Sequence, residues 1–135
     1  MVLTKQFVRK KILEWRKILG IEKIWEICFA LIEDPNDMGN DLACIEINLK
    51  YFQAIIDFNI KELNEKNIDK VVAHELNHII LEPMSHFASA ASGNKWKDVN
   101  LTLNESTNSR ITEAYLRLYQ MNKAAEVKNG HKRKG

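Results

Sequence analysis

The residues best placed to do chemistry are two histidines and a glutamate in His74-Glu75-Leu76-Asn77-His78, an H-E-x-x-H pattern. On a helix of 3.6 residues per turn, positions four apart are offset by about 40°, so both imidazoles leave one face and can share one small cation at about 2.0–2.1 Å. Glu75 stands about 100° round from His74 and is aimed at a water on that cation, outside its ligand set. Zinc brings the pKa of its water down to about 7, and a neighbouring carboxylate can take that proton and hand it to a leaving amine. The spacing therefore points to hydrolysis and not only to metal binding. A solvated His-Glu pair is the bland alternative, but the motif lies in an apolar segment, Ile68 to Leu81, where three unpartnered polar groups would be costly to bury.

A catalytic zinc site uses three protein ligands and leaves a fourth position open. The extended histidine pattern needs a glycine where the chain has Leu81 and a histidine where it has Met84, and His86 comes two residues too late. Glu82 lies one turn beyond His78 but abuts Pro83. Glu105 fits better, because it opens a separate helix that can be laid against the first, as in hydrolases with two histidines and one glutamate. Asn108, Ser109 and Thr112 continue its polar face, leaving Ile111, Tyr115 and Leu118 to pack elsewhere. Glu113 is held in reserve, since Arg110 and Arg117 at i−3 and i+4 suggest a surface ion pair. Tyr51, His86, Tyr115 and Tyr119 are candidate donors to a developing oxyanion, and none is singled out.

These groups need elements to position them. Leu3 to Leu19 reads as an amphipathic helix on Val8, Ile12, Trp15 and Leu19, with Gly20 as its C-cap. Lys23 to Glu33 and Leu42 to Leu49 read as strands joined in a hairpin through Asp34-Pro35-Asn36-Asp37 and Gly39-Asn40, and Tyr51 to Ile60 as a third strand. A helix from Asn67 or Asp69 to Leu81 carries the motif on Ile68, Val72, Leu76 and Ile79 or Ile80, and Pro83 stops it. Met84 to Val99 reads as a loop. A last helix spans about Leu101 to Ala125, with Thr102-Leu103-Asn104-Glu105 as a capping box and Ile111, Ala114, Tyr115 and Leu118 as its core stripe. The expected fold is α+β: an N-terminal helix, a sheet of three or four strands, the motif helix and a glutamate helix, zincin-like in plan.

The 135 residues, 45% hydrophobic and 28% charged, suit one domain over residues 1–125 with a core of its own, followed by a basic, flexible tail over 126–135. No apolar run approaches the roughly 18 residues of a membrane span. Met1 to Lys5 shows no signal-peptide pattern, so a cytoplasmic location is expected. Cys28 and Cys44 lack metal or disulfide spacing and read as buried, reduced thiols. Residues 1–20 carry six Lys/Arg against one Asp/Glu, residues 21–121 nine against sixteen, and residues 122–135 five against one. The +2 total thus hides an acidic body between two basic ends. The first basic block reads as a packed helix with a solvated lysine face, and nucleic acid is not the expected partner.

Val71-Val72-Ala73-His74-Glu75-Leu76-Asn77-His78-Ile79-Ile80-Leu81-Glu82-Pro83 and Asn104-Glu105-Ser106-Thr107-Asn108-Ser109-Arg110-Ile111 resemble the small gluzincin-like metallopeptidases of prokaryotes and their phages, and the minigluzincins. The order of elements, from about Ile24 to Leu118, is similar as well. The resemblance implies one zinc ion held by His74, His78 and Glu105, Glu75 as general base, and a peptide or protein substrate added as a strand to the sheet edge within Leu42 to Leu49. It departs at Ser109, where an acidic residue often orients a zinc histidine. The leading expectation is a zinc metallopeptidase. Its rivals are an anti-repressor-type regulatory peptidase, against which Asn77 stands where a glycine is frequent, and a catalytically silent module whose zinc staples two helices.

Overall fold

A computed structural model of the chain describes residues 3–21, 23–34, 38, 41–92 and 97–134, without the side chains of 84, 85, 87–92, 97–103 and 131–134. Along three short segments apolar residues alternate with polar or small ones, which is what a sheet with one covered face requires. They form β1 (Glu26–Ile32), β2 (Ala43–Asn48) and β3 (Gln53–Asn59). The inner residues are Ile27, Phe29 and Leu31, then Ala43, Ile45 and Ile47, then Ala54, Ile56 and Phe58. The helices are α1 (Lys5–Leu19), α2 (Ile68–Ser92) and α3 (Lys97–Lys134), so the fold is α+β with three helices and a three-stranded mixed sheet. Among the described residues, no helix is long and apolar enough to cross a membrane.

The strand order is β1-β3-β2, with β3 parallel to β1 and antiparallel to β2. The hairpin expected between the first two strands is therefore replaced by a connection that passes β3, and the true hairpin joins β2 to β3. The turn residues expected at 35–37, 39 and 40 lie outside the described residues. The β2–β3 turn has no glycine, yet Asn48 Oδ1 accepts from the main-chain N–H groups of Lys50 and Tyr51 at 3.1 and 3.3 Å, and Phe52 takes a φ of 52°. An Asx turn thus does what Gly or Pro would otherwise do. Cys28 and Cys44 are free but exposed, since both fall on the outer parity of their strands.

α1 starts on Thr4, whose hydroxyl accepts from Phe7 N at 3.2 Å, and ends on Gly20 at φ 72°. A left-handed residue there lets the Gly20 and Ile21 N–H groups reach the Lys17 and Arg16 carbonyls. Val8, Ile12, Trp15 and Leu19 are buried as the periodicity requires. Trp15 is wholly inaccessible and donates its indole N–H to Asp69 at 2.9 Å, and Lys11 pairs with the same carboxylate at 3.0 Å. The opening turn of α2 is thereby tied to α1.

Pro83 does not stop α2, which continues to Ser92. An internal proline removes one hydrogen bond, but the alanine-rich stretch after it favours helix, so the segment from Met84 onward is not a loop. α3 likewise begins at Lys97, four residues early, and continues to Lys134, so residues 126–134 extend a helix. Thr102 to Glu105 consequently sit inside α3 and form no capping box. The core stripe of α3 is also displaced: Asn108, Thr112 and Leu116 are buried, with Tyr115 and Tyr119 packed beside them, whereas Ala114 and Leu118 are exposed.

Trp15→Ala is expected to lower the unfolding free energy by about 3–5 kcal/mol. Trp15→Phe, which keeps most of the packing and loses the Asp69 bond, should lose only about 1–2 kcal/mol. Urea denaturation of the two variants measures both.

Candidate metal centre

α2 is apolar around most of its circumference, with Ile68, Val71, Val72, Ala73, Leu76 and Ile79 all buried. Such a helix is fixed in rotation, so the direction of its few polar side chains is fixed too. Its neighbour α3 runs antiparallel to it: Lys70 meets Glu113, His74 meets Asn108, and His78 meets Glu105. The pairing puts Glu105 opposite both imidazoles. Nε2 of His74 lies 3.4 Å from Glu105 Oε2, and Nε2 of His78 lies 3.1 Å from Oε1. The imidazole rings are nearly perpendicular, with centroids 4.9 Å apart.

One ligand atom from each of these three residues falls within 4.8 Å of the others. Two ligands of a tetrahedral ion with bonds of about 2.0–2.1 Å are separated by roughly 3.3–3.4 Å. The two His–Glu separations, one to each carboxylate oxygen, lie close to that edge, and the three groups could hold a metal ion. Burial, set against the attraction of Glu105, pushes His78 below its ordinary pKa and favours the neutral imidazole that binds metal.

Glu75 is 7% exposed and leaves α2 between the two histidines in sequence. Burial, and next the negative charges of Glu105 and Asp41, raise its carboxyl to about 7. A carboxyl group at that value can both hold and release a proton near neutrality.

A polar clamp, absent from the sequence reading, fixes this arrangement. Asn108 is fully buried, and its Oδ1 accepts from Asn77 Nδ2 and from the Thr112 hydroxyl, each at 3.0 Å, while its Nδ2 donates to the His74 carbonyl at 3.0 Å. The sequence places Asn108 and Thr112, with Ser109, on a polar face of the Glu105 helix turned toward the metal; what it does not show is their bonding to each other and to Asn77, for which the signal is the i, i+4 spacing of Asn108 and Thr112 and the placement of Asn77 inside the motif. Asn104, one residue before Glu105, favours the protonated form of His78 through its side chain, and its buried Oδ1 lacks a well-formed hydrogen bond.

The other candidates lie elsewhere. Glu82 and His86 line a separate cleft of about 380 Å³ beside Glu46 and Ile55. Glu113 pairs with Lys70 at 2.9 Å, and that hydrogen bond and charge hold its carboxyl below the usual range. Tyr115 and Tyr119 ride on α3 roughly 15 and 21 Å beyond Glu105. Tyr51 is exposed in the β2–β3 turn, beneath the Lys50 ammonium. Ser109 is exposed, so the residue of α3 that reaches His74 is Asn108.

Comparison of the chain with protein-family models, curated proteins and solved structures gives no match. The functional reading therefore rests on the geometry of the site.

Asn108→Ala leaves the Asn77 amide and the Thr112 hydroxyl without their acceptor, and is expected to lower stability by about 1–3 kcal/mol. Ser109→Ala should change it by less than about 0.5 kcal/mol. Equal effects in urea titrations would mean that the buried clamp does not hold the helices together.

Proposed function

We propose that the chain is a small zinc-dependent metallopeptidase of the gluzincin-like kind. The observation that carries this reading is the convergence of two imidazoles and the Glu105 carboxylate beside a second, buried carboxylate from the same turn of α2. His74, His78 and Glu105 would hold the ion, which when bound supplies Lewis acidity for a peptide carbonyl and for a water. Glu75 supplies the proton relay. Without an ion, burial and the neighbouring acids raise its carboxyl to about 7, and a bound ion would favour the carboxylate that takes a proton from water and returns it to the leaving amine.

Substrate binding is assigned to β2. It is an edge strand of the sheet and neighbours α2, so an extended peptide can pair with its open edge and pass along the motif helix. The Asn77–Asn108–Thr112 clamp bears on the rival reading of a silent zinc staple. Two helices already joined by a satisfied buried network have little need of a metal for that purpose.

Elemental analysis is expected to find one zinc per chain. Zinc at one hundred times its Kd should raise the unfolding free energy by about 2.7 kcal/mol, and Glu105→Ala should remove that increment. Glu75→Gln should keep the zinc and lower cleavage of a peptide library by roughly 10²–10⁴-fold. Undiminished cleavage by Glu75→Gln would refute the hydrolase, and full zinc affinity in Glu105→Ala would refute the ligand set.

A further inference from the structure

The two basic ends, far apart in sequence, meet in the fold. Tyr119 on α3 stacks against Trp15 on α1 at 5.1 Å and accepts a hydrogen bond from Lys11 at 3.3 Å, and Lys123 lies 3.9 Å from Glu14. Between α1 and α3 runs a groove of about 780 Å³, flanked by Lys10, Lys17 and Lys123, with Phe7 and Tyr119 in its walls. Its one acid, Glu14, is engaged by Lys11 at 3.8 Å as well as by Lys123. Lys10 and Lys17 are exposed and make no ion pair among the described residues. Past the groove α3 continues with exposed Lys123 and Lys128, and its sequence ends in Lys132-Arg133-Lys134. Lys123 stands roughly 27 Å along α3 from Glu105, so the basic end is well separated from the acidic metal centre.

We infer that this face of α1 and α3 is a docking surface for the phosphate backbone of double-stranded DNA. The groove lining holds five Lys/Arg (Lys10, Lys11, Arg16, Lys17 and Lys123) against one acid, Glu14, on a chain whose residues 21–121 carry nine Lys/Arg against sixteen Asp/Glu. Four of the five are lysines, which are depleted at protein–protein interfaces but serve well as point charges toward phosphate. A membrane surface is disfavoured, because the apolar face of α1 is already buried in the core by Val8, Ile12, Trp15 and Leu19 and has nothing left to insert. A single strand is disfavoured too. The Tyr119 ring is occupied by Trp15, Lys11 and Lys123, and Lys11 also lies over Phe7, so neither offers a free face for base stacking. Lysines flank the groove and meet phosphate as point charges, so the binding is expected to be independent of sequence.

The test is fluorescence anisotropy of a labelled 20-base-pair mixed-sequence DNA duplex with the full-length chain over a salt series. Binding should weaken as salt rises, with a slope in log K against log salt of about −0.9 per phosphate neutralised. The Lys10→Glu/Lys17→Glu/Lys123→Glu protein should bind at least about tenfold more weakly and lose roughly three units of that slope, while Lys61→Glu, a reversal at an exposed lysine outside the groove lining, should differ little from the parent. The neutral Lys→Gln triple variant should fall between them, with an unchanged melting temperature. No binding at low salt, binding indifferent to the triple reversal, or equal affinity for an RNA duplex or for poly-glutamate would overturn the proposal. The poly-glutamate result would mark a surface for acidic proteins instead. None of these readouts depends on zinc or on peptide cleavage, so the metallopeptidase reading and this one can fail separately.

Discussion

The side-chain amide of Asn108, buried between α2 and α3, is the contact on which the candidate site depends. Its amide nitrogen holds the main chain of His74, its oxygen gathers Asn77 and Thr112, and Glu105 precedes it by less than one turn. A helix pair packed only through apolar side chains can slide or rotate by a fraction of a turn at modest cost. Sliding here would strand an amide, an acceptor and a hydroxyl away from water, each at about 1–3 kcal/mol. The clamp thus sets the height and rotation of α3, and with them the distance of the Glu105 carboxylate from both imidazoles. Lys70–Glu113 lies further along the same seam and is largely exposed, so it contributes much less to that register.

The parts of the fold legible in the sequence are those set by local pattern. α1 with its Gly20 cap, the start of α2, and all three strands lie within a few residues of where periodicity puts them, because each alternation or 3.6-residue repeat reports one buried face. What was not legible depends on competition between distant segments. A dense turn signal suggests that its two flanking segments pair, whereas β3, the most buried of the three strands, takes the centre and pairs with both. Pro83 was read as a terminator, although the alanine-rich sequence behind it carries the helix on. The same local reading misplaced the core stripe of α3. Apolarity points to Ile111, Ala114, Tyr115 and Leu118, of which Tyr115 packs against the core, yet the most buried face is Asn108, Thr112 and Leu116, selected in part by hydrogen bonds that no hydrophobicity pattern can reveal. Of the site, motif spacing points to His74, Glu75 and His78, whereas Glu105, expected to open a helix, sits well inside α3 and still comes to face both imidazoles.

Charge placement ties the site to the rest of the molecule. Burying Glu75 near Glu105 and Asp41 opposes ionisation, and this is why the Glu75 carboxyl rises to about 7. The same crowding bears on the donor set, because a neutral His78 contributes no positive charge to offset two nearby carboxylates. A divalent cation between the imidazoles and Glu105 removes that imbalance, favouring the ionised form of Glu75 and giving every donor a partner. The formal charge of the acidic middle segment therefore overstates its effective charge once such an ion is bound, since two of its carboxylates face the site. The cations at the two ends do not compensate these acids. On α3, Lys123 stands about 27 Å along the helix from Glu105, beyond the roughly 8 Å screening length at physiological salt, and Lys11 of α1 is already paired with Asp69. On the readings proposed above, an ion would balance the acids at the His74–His78–Glu105 group, and a polyanion the lysines of the α1–α3 groove.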